Sequence, residues 1–474
     1  MKQLKIGFAA GFMDGFSRAG LDTFASYATQ LARMGTTMGF EVVHYPRAVM
    51  TVADARAIRE DLDAKDVDLL LLFHPAYIVG DNVYELMKTR AHLGLWAIEE
   101  PRDDGPMPLA SFVNLGQNMG IAHQMFKGAP RKVKWFFGPI DGPMFLPRFE
   151  TTVRALRAVK NLKNARIAQI GKLADGHINH TLDNRDVYAR LGIDVNRDFE
   201  VEDVIALAEK MPDSEAAAEL EHIDAACARQ RIGNDKIKFA VKMALAVKKL
   251  VKDQDWSAVA FSCWPKLMPL KGMSGCLVNA ILNNALIPGG CEADVGGTVS
   301  MLALKLLSDQ STVLMDLPRF NTEDNSLMIW HCGTSPFDMA NERGVLLERH
   351  YFADYSEDPG MKDCGPIVDV VFKPGAMTVF RLTGEADSFY YFNGTFFDDG
   401  RKSYNGSRGW VKDLTLYREP VKVLDLMNTI MTRAFTHHYP MVMKDVSAYL
   451  EEMAYWMDLK RVRKAEYRDY LSVD

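Results

Sequence analysis

The chain has 474 residues, of which 48% are hydrophobic and 25% charged, and its formal net charge is −6. This composition is typical of a globular protein, and the length predicts roughly two to four domains. Lys and Arg are interspersed with acidic residues and form no long basic run, and no apolar run is long enough to span a membrane. We therefore expect neither nucleic acid nor a membrane as a partner.

The cysteines occur at positions 227, 263, 276, 291, 332 and 364 and form no CxxC pair. Their apolar or strand-like surroundings indicate reduced, buried thiols in a reducing compartment. The N-terminal segment has no apolar region and cleavage site of the signal-peptide kind. We therefore expect a cytoplasmic protein.

Apolar runs of strand length alternate with amphipathic stretches of helical length in the first part of the chain. The predicted strands are residues 5–8, 41–44, 67–73 and 93–97, and the predicted helices are 21–39, 52–64 and 83–91. Strands without polar alternation, separated by helices, predict a parallel sheet covered on both faces. We predict a Rossmann-like domain over residues 1–128. The turn after its first strand lacks GxGxxG spacing, so a nicotinamide cofactor is not indicated.

The same alternation begins again after residue 128. The predicted strands are residues 132–137, 166–170 and 256–263, and the predicted helices are 148–161, 182–191, 201–210, 213–252 and 276–285. We predict a second α/β domain over residues 129–310.

After residue 310 the pattern changes to short strands punctuated by Gly and Asp. The predicted strands are residues 312–315, 326–330, 367–372, 377–382 and 389–397, followed by helices at 421–434 and 444–458. This pattern predicts an antiparallel sheet or a barrel over residues 311–474. The predicted fold class is therefore α/β, with two Rossmann-like domains followed by a β-rich C-terminal domain that carries terminal helices.

A glycine-rich segment at residues 287–297 carries Glu292 and Asp294 just before an apolar helical run. Glycines let a backbone approach a ligand closely, whereas an acidic residue before a helix also serves as a cap. We interpret Asp294 as a helix cap and Glu292 as a functional carboxylate.

Three further residues could take part in chemistry. Asp316 ends an apolar strand, where it is either a ligand or the start of a turn. His331 is delivered by a strand into a Gly/Ser turn, although a single His is more often a hydrogen-bonded core residue. His438 follows His437, and adjacent residues point in different directions, so we expect at most one of them to be a ligand. Two carboxylates and one His suit Mn²⁺ or Mg²⁺ better than Zn²⁺.

Four segments of the second half form a recognisable pattern: Cys263-Trp264-Pro265, ILNNALIPGGCEADVGGTVSMLALKLL at 281–307, the strand with Asp316, and IWHCGTSP at 329–336. This pattern resembles the L-fucose isomerase and L-arabinose isomerase superfamily, most closely its fucose isomerase-like branch. The resemblance is strong over residues 255–340. It is weaker but collinear from His438 onward, and before residue 250 it extends only to the architecture.

The resemblance implies a metal held by Glu292, Asp316 and His438, in that order along the chain. It also implies a role for His331 as a fourth ligand or as a residue next to the ligands. The implied cofactor is Mn²⁺ or another divalent cation such as Mg²⁺ or Co²⁺. The implied assembly is a homo-oligomer (hexamer, trimer or dimer) with active sites near subunit boundaries.

The implied activity is interconversion of an aldose and a ketose of one monosaccharide through a cis-enediolate. A divalent cation stabilises the charge on the sugar oxygens, and Glu292 and Asp316 act as base and acid; which does which stays open. The segment at 171–177 follows a strand and is either a binding loop or a turn. The candidate sugar contacts are Trp264, His177, Lys266, Arg319 and Arg343.

Alternatives stay open for the substrate and for the class of protein. A neutral pentose, hexose or deoxyhexose is one kind of substrate, and an anionic sugar such as sulfoquinovose, which the cationic candidates would suit, is another. A hydrolase or aldolase could use the same metal site. A sugar-binding protein without catalysis is the alternative of a different class, since two Rossmann-like domains also build sugar receptors.

Overall fold

The computed structural model describes residues 2–229, 231–264, 266–383, 385–433 and 435–470. The chain divides into two compact units, Met1–Asn161 and Leu162–Asp474. The first unit thus extends past residue 128, and the second contains most of both later predicted domains.

The first unit is an α/β fold. Its strands are β1 (Leu4–Ala10), β2 (Phe40–His44), β3 (Leu69–His74), β4 (His92–Ala97) and β5 (Val133–Phe137), and its helices are α1 (Ala19–Met38), α2 (Val52–Ala64), α3 (Gly80–Leu86), α4 (Ser111–Gln124) and α5 (Leu146–Leu162). The strands pair in parallel in the order β2-β1-β3-β4-β5. The side chains of β3 are all buried, as the continuous apolar run predicts.

The edge strand β5 differs from its predicted assignment. Residues 132–137 are predicted to open the second domain, but β5 pairs with β4 in the first sheet. The connecting helix α4 is missed because polar residues occupy its buried positions. Asn114 hydrogen-bonds the backbone N–H and C=O of Ile78 at 2.9 and 3.0 Å, and Asn118 contacts His74 at 2.9 Å. Polar side chains at the buried positions of a helix leave no apolar periodicity to detect.

The second unit contains the remaining elements. Its strands are β6 (Arg166–Ile170), β7 (Asp194–Phe199), β8 (Cys227–Arg229), β9 (Ala258–Phe261), β10 (Gly289–Cys291), β11 (Thr312–Asn321), β12 (Ser326–His331), β13 (Val345–Glu348), β14 (Ile367–Val371), β15 (Gly375–Thr383), β16 (Ser388–Phe397), β17 (Ser407–Leu416), β18 (Glu419–Pro420), β19 (Tyr439–Val442) and β20 (Lys460–Arg461). Its helices are α6 (Asn184–Leu191), α7 (Val201–Lys210), α8 (Asp213–Ala226), α9 (Asn234–Asp253), α10 (Leu267–Lys271), α11 (Cys276–Asn284), α12 (Val295–Ser308), α13 (Phe352–Tyr355), α14 (Val423–Thr432) and α15 (Ser447–Trp456). Short 3₁₀ turns occur at Ile178–His180, Phe337–Met339 and Pro359–Met361.

Two sheets organise this unit. Strands β10, β9, β6 and β7 form a small parallel sheet in that order. The second sheet closes into a barrel. Each strand pairs antiparallel with the next in the spatial order β16, β15, β19, β11, β12, β17, and β17 also pairs with β16. One apolar core joins the two sheets and includes Phe261 of β9, Leu314 of β11 and Phe392 of β16. The predicted fold class is confirmed, and the β-rich part is a barrel with further strands attached.

The region predicted as one helix over residues 213–252 is instead two helices with a short strand between them. The helix α8 ends at Ala226, and Cys227 then pairs in parallel with Val345 of β13. The helix α9 begins after Gly233. Pairing with a strand more than a hundred residues away overrides the local helical tendency of this Ala- and Lys-rich segment.

Two further expectations can be compared with the structure. The six cysteines are not paired with one another, and all are buried except for the half-buried Cys332. Of the helices in the described ranges, none combines the length and apolar character needed to cross a membrane.

Candidate active site

A strained turn presents Glu292 between β10 and α12. Glu292 and Ala293 both adopt left-handed backbone conformations, with φ angles of 58° and 59°. Such a conformation costs roughly 1–2 kcal/mol per non-glycine residue, and strain of this kind is concentrated at functional sites. The next residue, Asp294, caps α12 by accepting a hydrogen bond from the backbone N–H of Gly297 at 2.9 Å. The predicted cap is confirmed.

Neighbouring strands of the barrel bring three predicted residues together. Asp316 lies on β11 opposite Trp330 of β12, and His331 is the last residue of β12. His438 directly precedes β19, which pairs with β11 on its other edge. Because the three strands are neighbours, Asp316, His331 and His438 lie at one end of the barrel, and one ligand atom from each lies within 4.8 Å of the others.

Glu292 extends this group toward two more histidines. Its Oε2 lies 2.8 Å from Nε2 of His177 and 3.3 Å from Nε2 of His438. Glu292, His177 and His437 form a second group whose ligand atoms lie within 4.8 Å of one another. His177, predicted as a sugar contact, thus lies against Glu292, a predicted metal ligand. His437 lies at the same site as His438.

Several atoms of this cluster lack hydrogen bonds. Glu292 Oε2, Asp316 Oδ1, His331 Nδ1 and His438 Nε2 are shielded from solvent, and none has a partner with hydrogen-bond geometry among the described residues. Buried polar atoms without hydrogen bonds are uncommon in folded proteins, and a bound ion is one common explanation. Carboxylate oxygens and imidazole nitrogens that converge in this way are suited to holding a divalent cation.

A buried ion pair orients His438. Its Nδ1 donates to Asp294 Oδ2 at 2.9 Å. Arg381 donates to both oxygens of Asp294, at 2.7 and 3.0 Å, and to the backbone C=O of His438 at 3.1 Å. This arrangement turns Nε2 of His438 toward Glu292, as a carboxylate behind a metal-binding imidazole does.

The surroundings lower the pKa of Glu292 and raise those of Asp316 and His438. Burial opposes a charge on His438, but the carboxylates of Asp294 and Glu292 outweigh it and raise its pKa to about 9. Burial also opposes a charge on Glu292, yet the nearby histidines, His438 foremost, lower its pKa to about 2. For Asp316, burial prevails and raises the pKa to about 7. One carboxylate is therefore ionised near neutral pH while the other readily exchanges a proton.

A cavity of about 300 Å³ lies beside these groups. Its volume is at the lower end of small-molecule sites. Its ionisable lining comprises Glu292, Asp316, His177, His331, His350 and His437, and the rest consists of aromatic and sulfur-containing residues, namely Trp264, Trp330, Tyr351, Phe352, Met268, Cys263, Cys276, Cys291 and Cys332. The site is thus a small, partly apolar cavity with carboxylates and imidazoles in its wall.

Two of the five predicted sugar contacts line the cavity, and the other three lie elsewhere. Trp264 and His177 line the cavity; Pro265, quoted with Trp264 in the sequence pattern, lies outside the described residues. Lys266 instead pairs with two carboxylates at the start of α7, at 3.3 and 3.0 Å. Arg343 contacts Asp398 at 3.4 Å, and Arg319 is exposed on β11. Among the described residues that line this cavity, none is Lys or Arg.

Some residues of the site are not evident from the sequence. His180 is buried next to His437 and His438, with ring centroids 4.6 and 4.5 Å away, and burial lowers its pKa to about 3. The spacing of His177 and His180 by three positions is a signal that could have linked them, because a 3₁₀ turn brings such residues to one face. Arg381, in contrast, contacts Asp294 across 87 positions, and no local pattern indicates that contact.

Comparison with known proteins adds independent information. No protein-family model matches the chain. A sulfoquinovose isomerase of Priestia aryabhattai is 22% identical over 431 residues, which cover 88% of this chain and 90% of that protein. Another, from Alkalicoccus urumqiensis, is 24% identical over 365 residues, which cover 76% of this chain and 77% of that protein. The chain is thus similar along most of its length to proteins named for isomerising a sugar, which confirms the enzyme class predicted from its sequence, a sugar isomerase.

Proposed function

We propose that this protein is a metal-dependent aldose–ketose isomerase of the fucose isomerase-like branch and that its substrate is sulfoquinovose. The proposal is supported above all by the positions of Glu292, Asp316 and His438. Glu292 and Asp316 line one cavity, and His438 lies 3.3 Å from Glu292 and has a ligand atom within 4.8 Å of one of Asp316. Buried ligand atoms of these residues lack hydrogen-bond partners among the described residues. The names of the relatives support the choice of sugar.

In this proposal Glu292, Asp316 and His438 hold Mn²⁺, or Mg²⁺ or Co²⁺ in its place, and His331 is a further ligand. The bound cation supplies Lewis-acid stabilisation of negative charge on the sugar oxygens. The mixture of carboxylates and imidazoles is the chemistry such cations accept. The Asp294–Arg381 pair keeps His438 in the orientation that the ligand role requires.

The proton transfers fall to the two carboxyl groups. Isomerisation moves one proton between adjacent carbons and another between their oxygens. Glu292, kept ionised by its histidine neighbours, is the proposed base for the carbon-bound proton. Asp316, the second carboxyl group of the site, is the proposed group that gives and takes the oxygen-bound proton. Aromatic side chains in the wall, such as Trp264 and Phe352, limit the access of water to the reacting carbons.

The identity of the sugar is the more specific part of the proposal. Sulfoquinovose is a hexose that carries a sulfonate, and the imidazoles of the wall are donors available to it. A neutral pentose, hexose or deoxyhexose is the second candidate. It is favoured by one observation, that the lining includes no Lys or Arg among the described residues.

The test compares matched sugars with the metal-loaded and the EDTA-treated protein in D₂O. We expect Mn²⁺-loaded protein to convert sulfoquinovose to its ketose with solvent deuterium at the reacting carbon, as followed by NMR, and we expect no conversion after EDTA. D-Glucose is the neutral control for sulfoquinovose, and L-fucose and L-arabinose represent the other sugars. Cleavage products would indicate an aldolase or hydrolase, and metal-independent binding without conversion would indicate a binding protein.

A further inference from the structure

The side chain of His350 forms part of the cavity wall, in the loop between β13 and α13. The residue is 1% exposed. Its backbone N–H donates to the C=O of Cys364 at 2.7 Å, and its C=O accepts from the N–H of Ala353 at 2.9 Å. The ring packs against Tyr351 and Phe352, with centroids 4.3 and 4.7 Å away. The imidazole is therefore held in one position.

One hydrogen bond fixes the tautomer of this ring. The backbone N–H of Phe352 donates to Nδ1 of His350 at 3.1 Å. A ring nitrogen that accepts a hydrogen bond carries no hydrogen, so the hydrogen of the neutral imidazole is on Nε2. Burial lowers the pKa of His350 to about 3, and the ring stays neutral under ordinary conditions. His350 consequently offers one N–H donor, at Nε2.

This donor has no partner within the described part of the chain. Buried donors in folded proteins are nearly always satisfied, and an exception at the wall of a binding cavity indicates a ligand that supplies the acceptor. The acceptor that a sugar supplies is an oxygen atom. Since His350 belongs to none of the three groups of clustered ligand atoms found among the described residues, its role differs from holding a cation.

We propose that His350 is a substrate-binding residue whose Nε2–H donates a hydrogen bond to an oxygen atom of the bound sugar. This inference rests on the proposed function, since it takes the ligand of the cavity to be a sugar. The neutral ring holds its N–H too tightly to act as an acid, so the contact orients the sugar without exchanging a proton with it. A site that hydrogen-bonds a substrate oxygen discriminates strongly against a ligand that leaves the donor unpaired.

Two amide substitutions separate this role from a structural one. In His350→Asn, the amide oxygen can take the place of Nδ1 and keep the bond from Phe352, but the Nε2 donor is lost. In His350→Gln, the amide N–H can take the place of Nε2, but the acceptor for Phe352 is lost. A sugar-binding role therefore predicts that Gln preserves binding and Asn does not, whereas a role confined to the loop predicts the reverse.

The experiment measures the dissociation constant of sulfoquinovose by calorimetry with the Mn²⁺-loaded protein, together with Mn²⁺ affinity and melting temperature. For His350→Asn we expect sulfoquinovose binding to weaken roughly 10- to 100-fold with Mn²⁺ affinity unchanged, and for His350→Gln we expect a change of less than about threefold. Wild-type binding by the Asn variant, or an equal loss in both variants, would overturn the inference. Wild-type protein that binds sulfoquinovose without converting it would remove the proposed isomerase function and leave the comparison of the two variants intact.

Discussion

His438 Nδ1 lies 2.9 Å from Asp294 Oδ2, although the two residues are 144 positions apart in the chain. Asp294 has three roles at once, because it caps α12, pairs with Arg381 and fixes the ring of His438. Both Asp294 and Arg381 are almost completely buried. Each of the two buried charges is therefore stabilised by the other. The orientation of His438, the candidate metal ligand, depends on both.

Replacing Asp294 by Asn should weaken Mn²⁺ binding and lower stability together. We expect roughly 10- to 100-fold lower Mn²⁺ affinity, because the imidazole loses its carboxylate partner. We also expect a loss of roughly 3–5 kcal/mol in the free energy of unfolding, because Arg381 is left buried without a counter-charge. Metal titration and urea denaturation measure the two effects. Asp183→Asn, at the exposed N-cap of α6, is the control, and unchanged Mn²⁺ affinity in Asp294→Asn would contradict the role in orientation.

Replacing Glu292 by Gln should abolish most turnover while the fold is kept. Gln has the same shape and sits in the same left-handed turn, so the melting temperature should stay close to that of the wild type. Loss of a catalytic base lowers the rate by roughly 10²- to 10⁴-fold, measured as ketose formation at saturating Mn²⁺. Glu385→Gln removes an exposed carboxylate paired with Arg190 and should leave the rate unchanged. Near-normal turnover by Glu292→Gln would contradict the role of Glu292 as the catalytic base.

His331 can be tested as a further metal ligand. Its Nδ1 has no hydrogen-bond partner among the described residues, and it belongs to the group formed by Asp316 and His438. If His331 is a ligand, His331→Asn should lower Mn²⁺ affinity roughly tenfold or more, as measured by electron paramagnetic resonance of free Mn²⁺. The exposed His222 of α8 provides the control, His222→Asn. A loss of stability with unchanged affinity would show that His331 serves packing alone.

Mn²⁺ affinity should rise with pH. Without metal, Asp316 has a pKa of about 7 and His438 a pKa of about 9, so both carry protons below pH 7. Metal binding displaces these protons, and lower pH therefore favours the metal-free form. We expect affinity to increase by roughly two to three orders of magnitude from pH 6 to pH 8. Calorimetry in buffers of different ionisation enthalpy counts the protons released, and a value near zero would contradict this protonation of Asp316 and His438.

The sequence predicts best those elements whose signals are local. The helix α2 is predicted at its observed limits, because Thr51 and Asp54 form a capping box at its start. The strand β3 follows from an uninterrupted apolar run. The helix α4 is missed because Asn114 and Asn118 occupy part of its buried face. Their contacts outside the helix, with Ile78 and His74, are not visible in the local sequence. The break at Cys227 is missed for a similar reason, since its strand partner is β13.

The residues of the candidate site likewise include some that the sequence indicates and some that it does not. Glu292, Asp316 and His438 could be proposed because their order along the chain resembles a known pattern. In the structure His438 lies next to both Glu292 and Asp316. Arg381 and His350 lie outside that pattern, and their contacts form only when distant segments fold together. Lys266 and Arg343 illustrate the opposite case, because nearby acidic residues bind them away from the cavity. Charge in a sequence does not reveal which opposite charge is closest in space.

The position of β19 has a consequence for incomplete chains. This strand lies between β11 and β15, pairs with both, and directly follows His438. A chain that stops before Tyr439 would leave two long strand edges open, and open edges invite aggregation and degradation. Prematurely terminated chains of this kind would therefore be expected to misfold even though they contain most of the barrel strands.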